Sequence, residues 1–388
     1  MILPGLVDVH VHLRTPGGEH KENFRTGTAA ALAGGFTTLL AMPNTQPPLV
    51  TLENWRIAQT RAQNESLCDV FLYAGASADH LDQLPALAET APALKIYLDE
   101  TYGPLRVQEL GTLMCIMELW PSAKPICLHA EAKSIAVALG LAAVYGKPVH
   151  ICHVSRKDEI ELIAKAKAQG LPVTCEVTPH HLFLTEADAK RLGSYGYMRP
   201  TLATEEDRQA LWAHINTTID CIASDHAPHT REEKGEPGTE MLERTRAPLQ
   251  SEGEVAAGFS AHVMTENIAG IDGTQRQRPQ RIPPPGVPGL ESTLPLMLTA
   301  AARGLISYPR LVELLSTNPR RIFHLPEQPE TYIEIDPAAH YTFPEHPLYT
   351  KCGWSPFTGM EMTGRIEQVV LRGTEVVRNG LLTVSSSS

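Results

Sequence analysis

The chain has 388 residues, 43% hydrophobic and 20% charged, with a formal net charge of −11 at pH 7. This is globular composition with enough apolar residues for a large core, and it suits one big α/β barrel or two smaller domains. The acidic balance argues against a nucleic acid or an anionic membrane as partner, no apolar run approaches the roughly 20 residues of a bilayer span, and no signal peptide opens the chain.

The first strand begins almost at once, as expected for a piece cut from a longer polypeptide. It runs through Val7-Asp8-Val9-His10-Val11-His12-Leu13-Arg14. Side chains alternate along a strand, so His10 and His12 share a face and can reach one ion at its C-terminal end. A helix is expected over 22–34, then a second strand, Phe36 to Met42, closed by Pro43-Asn44-Thr45. Further strands are predicted over 69–74, 93–98, 125–129, 148–154, 171–177 and 219–225. Helices are predicted near 51–65 and 157–169.

Eight strands alternating with helices predict an α/β fold of the (β/α)8 TIM-barrel type, whose functional groups gather at the C-terminal strand ends. Polar residues stand at those ends: His10 and His12, Asn44, Lys95, His129, His153, Glu176 and Asp225. Period two places His150 opposite His153, as a structural residue. The seven cysteines never form Cys-x-x-Cys, and Cys127, Cys152, Cys175 and Cys221 lie in apolar runs. They read as small buried hydrophobes in a reducing compartment.

After the eighth strand the chain turns polar and aperiodic. Residues 236–280 are expected to be a mobile insertion in a barrel spanning 1–330. Helices are expected near 292–303 and 308–316. Short strands over 331–384 predict a small β appendage drawn from the chain termini, and 385–388 read as linker.

Four histidines, an aspartate and a glutamate at barrel-strand ends can hold two or three divalent ions, with zinc the best match to these donors. Lys95 is the odd member, because an ammonium among cations is repelled. A buried lysine can instead take up CO2 and present a carbamate to two metals. A plain ion pair with Asp99 or Glu100 is the simpler reading of the residue alone.

The motifs resemble the amidohydrolase superfamily, and within it the dihydroorotases. They are Pro4 to Arg14, Met42-Pro43-Asn44-Thr45, Lys95-Ile96-Tyr97-Leu98, Leu128-His129-Ala130-Glu131, His150 to Val154, Cys175 to His181, and Ala223 to His229. The resemblance is strongest to dihydroorotase domains of multifunctional pyrimidine-synthesis proteins. It implies that His10, His12, Lys95 as carbamate and Asp225 bind one zinc, and that Lys95, His129 and His153 bind a second. Glu176 would help hold a third with the first-strand histidine.

The resemblance further implies that Arg14, Asn44 and His229 grip a substrate carboxylate, with Arg199 nearby. Thr101 and Tyr102 would sit on a mobile covering loop, where Tyr102 replaces the usual phenylalanine. His180, His181 and His226 would orient ligands. The implied reaction is the reversible cyclisation of N-carbamoyl-L-aspartate to L-dihydroorotate and water, with Asp225 as base and then acid. A cytoplasmic homodimer, covalently joined to carbamoyl-phosphate synthetase and aspartate transcarbamoylase, is also implied. Two readings compete: a dihydropyrimidinase, hydantoinase or allantoinase, and an inactive paralogue kept as a scaffold. Arg14 directly after His-x-His-Leu favours a carboxylated substrate, and no expected metal ligand is missing.

Overall fold

A computed structural model describes residues 1–101, 103, 105–235, 263–269, 275–281 and 283–383. The first barrel strand is Leu6–Val11, buried along its whole length as a strand covered on both faces must be. The helix Phe24–Ala33 follows, capped by Asn23, whose side chain accepts the Thr26 N–H. It leads into Phe36–Ala41, parallel to the first strand.

The third strand is split. Asp69–Leu72 pairs with Phe36–Ala41, whereas Ala74–Gly75 pairs with Leu94–Tyr97. Ile126–His129, Val149–Ile151, Val173–Val177 and Cys221–Ile222 continue the parallel order. Closure comes beyond the last strand, where the His12 N–H donates to the His226 carbonyl at 2.7 Å and Val11 bridges His226 in parallel. The eight strands therefore form the expected closed barrel.

The barrel interior is packed, not open. Val7, Val9, Leu40, Met42, Tyr73, Cys127, Cys152, Cys221 and Ala223 fill it, and Phe323 and Leu325 plug its base. Cys127, Cys152 and Cys221 thus serve as small packing groups, and all seven cysteines are free. Val11 and Leu13 face the outer core while Val7 and Val9 face inward. A register irregularity between Asp8 and Val11 turns both Val9 and His10 into the barrel. It lifts the two histidines out of the apolar packing and into the mouth.

A five-stranded antiparallel sheet stands beside the barrel. Ile2–Pro4 pairs with Tyr332–Thr342, followed in order by Glu361–Leu371, Thr374–Arg378 and Leu381–Leu382. Both termini thus contribute to the appendage. The expected mobility of 236–280 falls mostly outside the described residues, as does the linker at 385–388. Within that stretch Val263–Ala269 pairs antiparallel with Gln275–Arg281, a hairpin that the aperiodic sequence did not announce. No helix among the described residues is long and apolar enough to cross a membrane.

Candidate active site

His10, His12, Arg14, Asn44, Tyr97, Thr101, His129, His153, Arg199 and Asp225 line one cleft at the C-terminal mouth of the barrel. Backbone completes its wall. Gly286 has φ +132° and approaches so closely that a Cβ would sit 2.6 Å from the Ala227 carbonyl oxygen.

The two first-strand histidines share one arrangement. His10 Nδ1 hydrogen-bonds Glu176 Oε1, and His12 Nδ1 lies 2.8 Å from Asn44 Oδ1. With Nδ1 donating in each ring, Nε2 turns to Asp225 Oδ1, at 3.3 Å from His10 and 3.2 Å from His12. Acceptors of this kind fix metal-binding imidazoles in the correct tautomer. Burial holds His12 neutral, with its pKa lowered to about 4. A neutral Nε2 lone pair opposite a carboxylate oxygen is stabilised by a cation between them.

Burial pulls His10 down, but the Asp225 and Glu176 carboxylates outweigh it and raise its pKa to about 10. The position therefore attracts positive charge, which a divalent ion can supply in place of the proton. Ligand atoms of His10, His12 and Asp225 lie within 4.8 Å of one another, as do those of His10, Cys152 and Glu176. These residues fit a metal ion.

On the opposite wall His129 Nδ1 lies 2.8 Å from His153 Nε2. Burial and neighbouring positive groups hold both rings below the usual histidine range. His153 Nδ1 is buried with no hydrogen-bond partner among the described residues. Lys95 is fully buried between the two pairs, and its Nζ donates to Cys152 Sγ at 2.9 Å. No ion pair of Lys95 with Asp99 or Glu100 is present; Asp99 instead accepts from Ser134 Oγ and the Glu131 N–H. Cys152 is therefore more than the inert filler that its apolar run suggested.

Glu176 accepts from His10, from His150 Nε2 at 3.0 Å and from the His153 N–H at 3.2 Å. This corrects the reading of His150 as lying away from His153. The strand ends at Ile151, and φ of +36° at His153 breaks the alternation, so the His150 ring reaches Glu176 inside the barrel while the His153 ring, whose backbone N–H meets Glu176, lies 5.2 Å from the His10 ring. Asp225 and Arg14 also have positive φ, +45° and +57°. Left-handed backbone at three side-chain-bearing positions around one cleft is strain of the kind that functional sites retain.

The cleft also carries cationic groups. Arg14 Nη2 lies 3.1 Å from His229 Nε2, and Arg14 Nε donates to the Pro228 carbonyl at 3.2 Å. Arg199 lines the same cleft, its guanidinium 5.7 Å from the centre of the Tyr197 ring. Thr101 is half-buried at the rim, and Tyr102 lies outside the described residues.

His226 joins the framework through Glu22 at 3.2 Å, and His181 is held between Thr178 Oγ1 and the Pro200 carbonyl. Three contributors escaped the sequence reading. Lys21 and Lys234 are buried beside His229 and carry no motif signal. Asp8 is buried under the mouth, where both its oxygens accept the Ser224 N–H at 3.2 Å.

A family model described as dihydro-orotase-like matches residues 1–94. Over 397 residues the chain is 32% identical to the dihydroorotase of Pyrococcus abyssi, covering 98% of this chain and 84% of that protein. The chain belongs to the dihydroorotase family. It is also 43% identical to the multifunctional protein CAD of Squalus acanthias, covering 98% of this chain but 15% of that protein. The chain thus spans a small part of such multifunctional relatives, while it matches most of the archaeal dihydroorotase.

Among solved structures, L-hydantoinase from Arthrobacter aurescens superposes with a TM-score of 0.83 at 24% identity, over 99% of this chain and 87% of that one. An inactive dihydroorotase-like domain of a Chaetomium thermophilum multifunctional protein gives 0.74 at 24% identity, over 99% and 96%. At these identities the likeness concerns the barrel and appendage alone.

Proposed function

We propose that this chain is a zinc-dependent dihydroorotase of de novo pyrimidine synthesis, interconverting N-carbamoyl-L-aspartate and L-dihydroorotate plus water. The observation that carries this reading is the polarity of the cleft. In a dihydroorotase-family chain, one cleft is lined by metal-type donors, His10, His12, His129, His153 and Asp225. Arg14 and Arg199 line the same cleft. A substrate that pairs a cyclic amide with a carboxylate matches that combination of groups.

His10, His12, Asp225 and Lys95 as its carbamate would hold one zinc ion, and Lys95, His129 and His153 a second. Glu176 with His10 is the candidate for a third. Zinc bound there supplies Lewis acidity that polarises an amide carbonyl and lowers the pKa of water. Asp225 takes the proton of the attacking water and returns it to the departing ring nitrogen, and cyclisation reverses the order. Arg14, Asn44, Arg199 and His229 hold the carboxylate and so fix the ring's orientation. Thr101 and Tyr102 close over the substrate. In its full context the chain would be one domain of a cytoplasmic multifunctional homodimer with carbamoyl-phosphate synthetase and aspartate transcarbamoylase.

The deciding assay follows the ultraviolet loss of dihydroorotate with purified protein of known metal content, beside dihydrouracil, hydantoin and allantoin. Turnover of dihydroorotate alone is the expected result. Turnover only of the uncharged rings would move the assignment to the hydantoinase group, and none at full metal content would make the domain a scaffold.

A further inference from the structure

Tyr97 ends the fourth barrel strand, two residues after Lys95 and on the same face. It is 97% buried, with 3% of its surface exposed, yet its hydroxyl has no hydrogen-bond partner among the described residues. Buried hydroxyls are paired with few exceptions, and an unpaired one needs a reason. The fold does not supply it. The ring packs against Val50 and Leu105, which a phenylalanine would do equally well.

Its location supplies the reason. Tyr97 lines the cleft together with His12, Asn44, Thr101 and Asp225, and its ring centre is 6.1 Å from that of His129. Its main chain is also the base of the rim loop. The Tyr97 carbonyl accepts the Val107 N–H at 2.9 Å and Tyr97 bridges Arg106, so the loop carrying Thr101 leaves and returns at this residue. Val50 and Leu105 hold the ring, and the hydroxyl is left without a partner among the described residues.

We propose that Tyr97 is a catalytic residue whose hydroxyl donates a hydrogen bond to the substrate's amide carbonyl oxygen as that oxygen gains charge. The proposal rests on the cyclic-amide reading above. A fixed donor aimed at developing charge acts mainly on the transition state and therefore on kcat.

The test is Tyr97→Phe in the metal-loaded protein, run beside the unsubstituted chain. Dihydroorotate turnover by the unsubstituted chain establishes the reaction first, so failure of that reading shows independently. For Tyr97→Phe the expected result is a fall in kcat of about 10²–10³-fold, with KM within about twofold. Melting temperature and bound metal should be unchanged, because the hydroxyl has no structural partner among the described residues to lose. An unchanged kcat would overturn the proposal, as would a rise in KM alone. Loss of bound metal would overturn it too, since the hydroxyl would then serve the metal site and not the substrate.

Discussion

Arg14 Nη2 and His229 Nε2 stand 3.1 Å apart, joining the segments that follow the first and eighth strands. Lys21 Nζ approaches the same ring at Nδ1, 3.3 Å away. Burial, Arg14 and Lys21 keep His229 neutral. A neutral imidazole offers one lone pair, so it can accept from only one of the two cations. Lys21 is itself paired with Glu233 Oε1 at 3.0 Å, so the positive field of this corner rests on Arg14, although the chain carries −11 overall.

Replacing Arg14 tests that field. Hydrogen bonds to charged groups contribute about 1.5–3 kcal/mol, so Arg14→Met should lower kcat/KM for dihydroorotate about 10- to 150-fold. An uncharged cyclic amide should lose far less. Equal losses for both substrates would show that Arg14 does not read the carboxylate.

Lys95→Ala should abolish turnover and lower bound zinc, because a fully buried lysine between two histidine pairs has no carboxylate partner among the described residues. Metal analysis of the purified variant is the direct measurement. Zinc at the unsubstituted level with full activity would remove Lys95 from the site.

Asp225→Asn should keep the fold and lose turnover toward the upper end of the roughly 10²–10⁴-fold range of acid–base groups. Asparagine fills the same volume but cannot carry the proton. Steady-state rates at matched metal content decide it, and a loss below about tenfold would contradict the assigned role.

Thr101 is half-buried at the rim and belongs to none of the core clusters. Thr101→Ala should therefore reduce turnover while leaving the melting temperature nearly unchanged. A large melting shift with normal kinetics would make the loop a structural element.

Lys234 gives a pH dependence of stability that does not involve the metal donors. Its Nζ donates to the Tyr197 and Pro284 carbonyls at 3.0 and 2.9 Å, and burial lowers its pKa to about 7. Between pH 7 and 10.5 the unfolded chain binds the proton that the folded chain has released. Stability contributed by this group thus rises with pH across that window, by at most about 1.4 kcal/mol per unit. Denaturant titrations of the protein and of Lys234→Met should show this slope in the former and its loss in the latter. Identical slopes would place the titrating group elsewhere.

Much of this molecule is local and therefore legible in sequence. Strand periodicity, caps such as Asn23 and polar residues at strand ends depend on neighbours within a few positions. That was enough to place His10, His12, Asn44, Lys95, His129, His153, Glu176 and Asp225 around one mouth. Tyr97 was within reach of the same rule, since period two puts it beside Lys95. Tertiary structure decided what alternation cannot. The irregularity between Asp8 and Val11, and the positive φ of His153, redirect side chains that a regular strand would send elsewhere. Lys21 meets His229 across 208 residues, Asp8 meets Ser224 across 216, and Ile2–Pro4 joins a sheet formed by the far end of the chain. Such contacts exist only once the barrel closes, because each residue's partner and its burial are set by packing and not by its neighbours in the chain.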